Sequence, residues 1–265
     1  MPSAVSETVV DAAQAGQHTV VNDCVLRIAT ANGSGSQSAN NIIMRAIFRM
    51  GIPVGSKNLF PSNIEGLPTW FSIRVNEKGW LARRSRSDIM IVMNPQSAEQ
   101  DLAELEPGTI VLLSDTLKPF LKRDDLIVYA CPFGAMIKEL CPDTRLRKKV
   151  VNMLYVGVIA WMLNIDLQEI ETAVEEQFAR KKKAVDLNFG VIRAAHEWAS
   201  ENLEPQSRFR LERRDKTEGK ILIEGNEAAA IGMLFGGVTV VAWYPITPSS
   251  TGIARIRRPV NQPTP

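Results

Sequence analysis

Residues 25–50 read VLRIATANGSGSQSANNIIMRAIFRM, and this stretch decides the fold class. Val25-Leu26-Arg27-Ile28-Ala29 has the composition of a short strand. Ala31-Asn32-Gly33-Ser34-Gly35-Ser36-Gln37-Ser38 is the turn after it, and Ala39, Ile42, Ile43, Ala46, Ile47 and Met50 then recur along one helical face. The hydroxyl of Ser36 or Ser38 is placed to cap that helix by accepting from a first-turn amide. Gly33 and Gly35 permit backbone angles that a side chain forbids, and they leave space for a ligand above the helix N-terminus. This is the β-loop-α opening of an α/β domain, in which the loop is the usual binding site.

The rest of the chain extends the pattern. Residues 1–23 are small and polar, the composition of a flexible lead-in. Gly51-Ile52-Pro53-Val54, Thr69 to Val75, Ile89 to Met93, Thr109 to Leu113 and Leu126 to Ala130 read as strands, with a loop from Gly55 to Pro68 and a short helix from Ala98 to Leu105. Strands alternating with helices imply an α/β fold with a largely parallel sheet. From Arg145 the texture turns helical. Val150 to Met162 is apolar around nearly its whole circumference and must be buried in a core or an interface. Asp166 with Glu169 reads as a capping box, and Arg180-Lys181-Lys182-Lys183 as the solvated basic end of that helix. A third helix spans about Val185 to Asn202. Residues 204–219 are polar and charged, the composition of a linker. Lys220 to Gly225, Asn226 to Phe235 and Val238 to Trp243 then read as strand, helix and strand of a second, incomplete α/β domain over 220–250, followed by an irregular tail over 251–265.

Composition narrows the function. The chain has 265 residues, a net charge of +2 and three scattered cysteines, Cys24, Cys131 and Cys141. That charge gives no reason to expect a nucleic-acid or acidic-membrane partner. The cysteines form no CxxC pair and no cluster with His18 or His196, so neither a metal site nor an iron–sulfur cluster is expected in this chain. Few thiols, no signal peptide and no apolar run long enough for a bilayer fit a cytoplasmic protein. The glycine loop lacks the third glycine of a dinucleotide fingerprint, and no acid follows at ~20 residues, where Val54-Gly55-Ser56-Lys57-Asn58 stands. An NAD site is disfavoured. His196 reads as a packed or surface histidine and Cys131 as a buried structural thiol rather than a reactive one.

The most specific stretch is Ala242-Trp243-Tyr244-Pro245-Ile246-Thr247-Pro248-Ser249-Ser250, where two prolines stiffen a hydroxyl-rich loop after an expected strand. Together with Gly225-Asn226-Glu227-Ala228-Ala229-Ala230-Ile231-Gly232, it resembles the opening of the α-subunit core of 2-oxoacid:ferredoxin oxidoreductases. Gly33-Ser34-Gly35-Ser36-Gln37-Ser38 is similar to the family's GxGGQG loop, with serine for glycine at 36 and 38. Ser62-Asn63-Ile64-Glu65-Gly66-Leu67-Pro68-Thr69-Trp70 and Asn152-Met153-Leu154-Tyr155-Val156-Gly157 resemble its γ-type domain. The likeness covers about residues 24–250, in the order of a γ domain (24–203) fused to the pyrimidine-binding α core.

The resemblance implies coenzyme A-dependent oxidative decarboxylation of a 2-oxoacid, 2-oxoglutarate first among the candidates. It implies thiamine diphosphate and magnesium shared with a β subunit, and an iron–sulfur cluster held by a partner that passes electrons to ferredoxin. Thr247 and Tyr244 are the residues it places against the substrate, and Gly33, Gly35 and Gln37 those on the coenzyme A side; no complete catalytic set is expected in this chain. After Ser250 the family pattern gives way to Thr251 and the tail, which reads as an interrupted α subunit inactive alone. Two other classes remain: a non-catalytic assembly subunit docking through 150–163, and a nucleotide-binding regulator using the Gly33 loop.

Overall fold

The computed structural model describes residues 19–60, 64–179, 181–206 and 208–244. They divide into two units, one ending at Glu218 and one starting at Gly219.

The first unit is built on a strand buried on both sides. After β1 (Val20–Val21), β2 (Asp23–Ala31) runs through the middle of a six-stranded sheet, and helix α1 (Ser36–Arg49) follows the glycine loop. β3 (Val54–Leu59) and β4 (Pro68–Asn76) form an antiparallel pair. β5 (Ile89–Val92), helix α2 (Ala98–Ala103), β6 (Ile110–Ser114), a 3₁₀ turn (Asp115–Phe120) and β7 (Ile127–Cys131) complete the sheet. The spatial order is β3-β4-β2-β5-β6-β7, with β2, β5, β6 and β7 parallel and β4 antiparallel to β2. The α/β class with a largely parallel sheet is therefore as the sequence implied.

Pleating sends the two faces of β2 into different cores. Leu26 and Ile28 join the larger one with Ile42, Ile43 and Ile47 of α1, whereas Ala29 joins a smaller one with Met90, Val92 and Leu102. β5 is buried along its whole length, which is why it carries no alternation.

The larger core is closed by helices α3 (Phe133–Leu140), α4 (Thr144–Val150), α5 (Asn152–Leu163), α6 (Leu167–Gln177) and α7 (Lys182–Asn202). α5 is buried on nearly all sides, so its all-round apolarity reflects core rather than a docking face. Gly157 lets α7 approach: a β-carbon there would lie 2.2 Å from the Ile192 carbonyl oxygen and 2.8 Å from the Ala195 β-carbon.

Several expectations are corrected. Helix α1 is capped by neither Ser36 nor Ser38; it starts at Ser36, and Gly35 at φ 82° is its N-cap with no side-chain bond. The segment 55–59 is strand rather than loop, because β4 offers it a full antiparallel register. Asp166 does cap α6, accepting from the Gln168 amide at 2.9 Å, but Glu169 pairs with Arg49 and Arg213 instead of closing a box. Lys182 and Lys183 open α7 rather than close α6, and Arg180 lies outside the described residues.

Residues 204–218 are not a free linker. β8 (Phe209–Arg210) pairs with β1, and Leu211 is fully buried. Asn22 both accepts from the Glu212 amide and donates to its carbonyl, each at 2.9 Å, while Arg213 and Arg214 are ion-paired to Glu169 and Glu77. The polarity that suggested a linker is a paired surface.

In the second unit, α8 (Gly225–Phe235) is the expected helix. Neither 220–224 nor 238–243 is a strand, since no neighbouring strand among the described residues supplies ladder partners.

Gly157→Ala is expected to destabilise the protein by ~3 kcal/mol, because the backbone of α7 cannot yield to the new methyl. Gly190→Ala on α7, where a β-carbon meets nothing within 4 Å, should be neutral or stabilising. Urea unfolding midpoints of the two variants check the contrast.

Candidate functional site

A cavity of about 340 Å³ opens at the carboxyl end of β2. Its floor is the glycine loop and the first turn of α1, contributed by Gly33, Gly35 and Gln37, and one wall is the β3–β4 hairpin, contributed by Asn58, Thr69 and Phe71. The three loop residues singled out in the sequence are therefore brought together. Gly33 and Gly35 have φ of 79° and 82°, a region that favours glycine. At Gly35 a β-carbon would also stand 2.9 Å from the Lys149 carbonyl oxygen. That close approach brings α4, with Arg145, Arg147, Lys148 and Lys149, beside the loop.

The polar lining is held in an ordered chain. The Asn152 side chain donates to the Ser34 carbonyl at 2.7 Å and so ties the loop to α5. Asn58 donates to the Gln37 side-chain oxygen at 2.9 Å, and the Gln37 amide donates to Asn41 at 3.2 Å. Thr30 donates to the Ser36 hydroxyl at 2.9 Å. Below them Tyr155, fully buried, donates to the Asn40 side-chain oxygen at 2.7 Å. Burial pushes the Tyr155 phenol well above its usual range, so it stays protonated and keeps this donor role. Tyr155 thereby holds the side-chain oxygen of Asn40, which also lines the cavity.

The arrangement suits a ligand with acceptor oxygens. First-turn amides of a fourteen-residue helix, which has no acidic residue in that turn, converge with the Asn40, Asn58 and Gln37 side chains. Phe71 supplies an apolar wall.

Asn40, Asn58, Thr69 and Tyr155 were not anticipated as site residues. Asn40 interrupts the apolar face of α1, and Tyr155 is a phenol inside an apolar helix; both are polar groups that burial obliges to find partners. Asn58 and Thr69 come from the hairpin, and no local signal in the sequence announces them.

The remaining expected residues lie elsewhere. Tyr244 is exposed and belongs to the second unit, and Thr247 lies outside the described residues. Cys131 is buried, and burial raises its thiol to about 12, as befits a structural cysteine. His196 is partly buried on α7, and burial lowers its pKa. Among the described residues no cluster of three or more His, Cys, Asp or Glu could hold a metal, and no helix is long and apolar enough to cross a membrane.

Comparison with known proteins fits this layout. The profile of the pyruvate ferredoxin/flavodoxin oxidoreductase family matches residues 25–198. The chain belongs to that family. It is 25% identical over 270 residues to 2-oxoacid:ferredoxin oxidoreductase 2, subunit alpha, of Aeropyrum pernix, a match covering 86% of this chain and 42% of that protein. It is 21% identical to the 2-oxoglutarate oxidoreductase subunit KorA of Mycobacterium tuberculosis, over 87% of this chain and 40% of the relative. The chain thus spans about two fifths of the length of these α subunits.

Among solved structures, the 2-oxoglutarate:ferredoxin oxidoreductase of Magnetococcus marinus, with 2-oxoglutarate, coenzyme A and succinyl-CoA bound, shares the fold at a TM-score of 0.75 and 21% identity. That match covers 89% of this chain and 41% of the other. The keto/oxoacid ferredoxin oxidoreductase gamma subunit of Geobacter sulfurreducens matches at 0.54 and 18% identity, over 67% of this chain and 99% of its own.

Tyr155→Phe should cost about 1–3 kcal/mol, because it leaves the buried Asn40 oxygen unpaired while conserving volume. Chemical denaturation with retained far-UV circular dichroism checks it. Native protein at about pH 8 should leave Cys131 unmodified by iodoacetamide, since almost none of the thiol is ionised, with full labelling only after unfolding. Peptide mass spectrometry reads the outcome.

Proposed function

We propose that the chain is the γ-type domain (24–203) and the opening of the pyrimidine-binding α core (220–250) of a 2-oxoacid:ferredoxin oxidoreductase. In the assembled enzyme it serves coenzyme A-dependent oxidative decarboxylation of a 2-oxoacid, with 2-oxoglutarate the favoured substrate and ferredoxin the electron acceptor. The observation that carries this reading is the glycine-loop cavity at the head of α1, in a chain whose residues 25–198 match the oxidoreductase family.

Two features of the cavity favour coenzyme A: the first-turn amides of α1 have no side-chain cap, and Asn40 lines the cavity. Phosphate oxygens would accept from those amides. Gln37, braced between Asn58 and Asn41, would orient the ligand rather than react with it.

The decarboxylation itself belongs to thiamine diphosphate, which supplies an electron sink for the carbanion formed when carbon dioxide leaves. We place the diphosphate and its magnesium with a β subunit. Tyr244 and Thr247 are assigned to the substrate through the Tyr-Pro-Ile-Thr-Pro likeness alone. Three buried free thiols suit a reducing cytoplasm.

Titration calorimetry of the purified chain with coenzyme A tests the site. Saturable binding is expected, weakened roughly tenfold by Gly35→Ala, which combines φ strain with a contact on Lys149. The exposed Gln37→Ala should weaken it severalfold without unfolding. Absence of binding, or binding indifferent to both substitutions, overturns the assignment.

A further inference from the structure

The β3–β4 hairpin has a second face, turned away from the cavity. Residues directly opposite in an antiparallel register share a face. Asn58, Phe71 and Ile28 are aligned across β3, β4 and β2 on the cavity side. One residue away, Lys57, Ser72 and Arg27 are aligned across the same three strands on the opposite side. The next rows on that side are Leu59, Trp70 and Ala29 in one direction, and Gly55, Arg74 and Val25 in the other.

A shallow surface cleft, with only about 10 Å³ of enclosed space, lies here between the sheet and the segment Arg83-Arg84-Ser85-Arg86-Ser87. Arg27, Arg83, Arg84 and Arg86 line it, with hydroxyls from Ser72, Ser85 and Ser87. The sheet thus concentrates like charge, a costly arrangement unless something of opposite sign relieves it.

Asp23 pairs with buried Arg74, Asp88 accepts from the Val25 amide at 2.8 Å, and Asp101 accepts from the Trp70 indole at 2.7 Å through one oxygen while its buried Oδ2 has no hydrogen-bond partner. The pairs left to the groove arginines are long: Arg84 to Asp23 at 3.6 Å and Arg86 to Glu106 at 3.8 Å. Arg27 is half-buried and its side chain makes no hydrogen bond or ion pair among the described residues, although its charge acts on Asp101. Arg83 and Lys57 likewise have no ion-pair partner among them. Arg74, 4% exposed, leaves Nε and Nη2 without a hydrogen-bond partner.

We propose that this groove binds a phosphoryl anion of a small molecule, held by the guanidinium groups of Arg27, Arg83 and Arg86 and the hydroxyls of Ser72 and Ser85. Guanidinium forks match phosphoryl oxygens two at a time, and hydroxyls complete the shell. Its position on the reverse of the hairpin makes it separate from the glycine-loop cavity, and it does not rest on the function proposed above.

Titration of the full chain with pyrophosphate, in chloride buffer, tests this, with inorganic phosphate in a parallel titration to tell a single phosphoryl group from a linked pair. Arg27→Gln and the exposed Arg83→Ala should each weaken saturable pyrophosphate binding roughly tenfold, whereas Arg193→Ala, an exposed arginine of α7, should leave that binding in place. If Gln37→Ala abolishes the binding and the Arg27 and Arg83 variants do not, the anion sits in the glycine-loop cavity and the proposal falls. It falls equally if no saturable binding is seen by ~10 mM, or if a glutamate-rich peptide binds more tightly than pyrophosphate in an Arg83-dependent way, which would make the groove a protein-docking surface. Circular dichroism of Arg83→Ala, whose side chain is exposed, guards against misfolding as the cause.

Discussion

Strand β2 is the constraint on which the first unit depends. It is hydrogen-bonded on both edges, antiparallel to β4 and parallel to β5, so its pleat cannot slip without turning every side chain to the wrong face. Leu26 and Ile28 then point into the larger core, while Val25, Arg27 and Ala29 point the other way. The same register places the carboxyl end of the strand beside the β3–β4 hairpin, and that juxtaposition makes the cavity. A loop with the same glycines at the end of an edge strand would have no second wall.

The loop in turn is held from behind. Gly35 sits against the Lys149 carbonyl, and the Asn152 side chain grips the Ser34 carbonyl, so the junction of α4 and α5 sets the loop's shape. Gly157 on the same helix admits the backbone of α7. One buried helix thereby carries three jobs: it fills the core, fixes the glycine loop, and orients Asn40 through Tyr155.

Much of this was legible in the residues. The β-loop-α opening, the continuously apolar strands, the wholly buried α5 and the roles of Gly33 and Gly35 follow from periodicity and from what glycine alone permits. Misreadings arose where polarity was taken for solvation. Residues 204–218 look like a linker because their charges are visible in the sequence and the partners Glu77, Asp166 and Glu169 are far away in it. The segments 220–224 and 238–243 look like strands because their side chains suit one, yet a strand exists only beside another.

The sequence by itself determined the α/β class and the glycine loop, because these depend on local backbone preference and on the spacing of apolar groups along one chain, and its motifs carried the resemblance to the family. Only the tertiary structure decided that Asn58 and Thr69 line one cavity with Gly35, that Tyr155 bonds the Asn40 side-chain oxygen, and that Arg27 and Lys57 flank Ser72 on the reverse of the same hairpin. Each of those facts rests on strand register and on contacts between residues distant in the chain, and no local pattern encodes either.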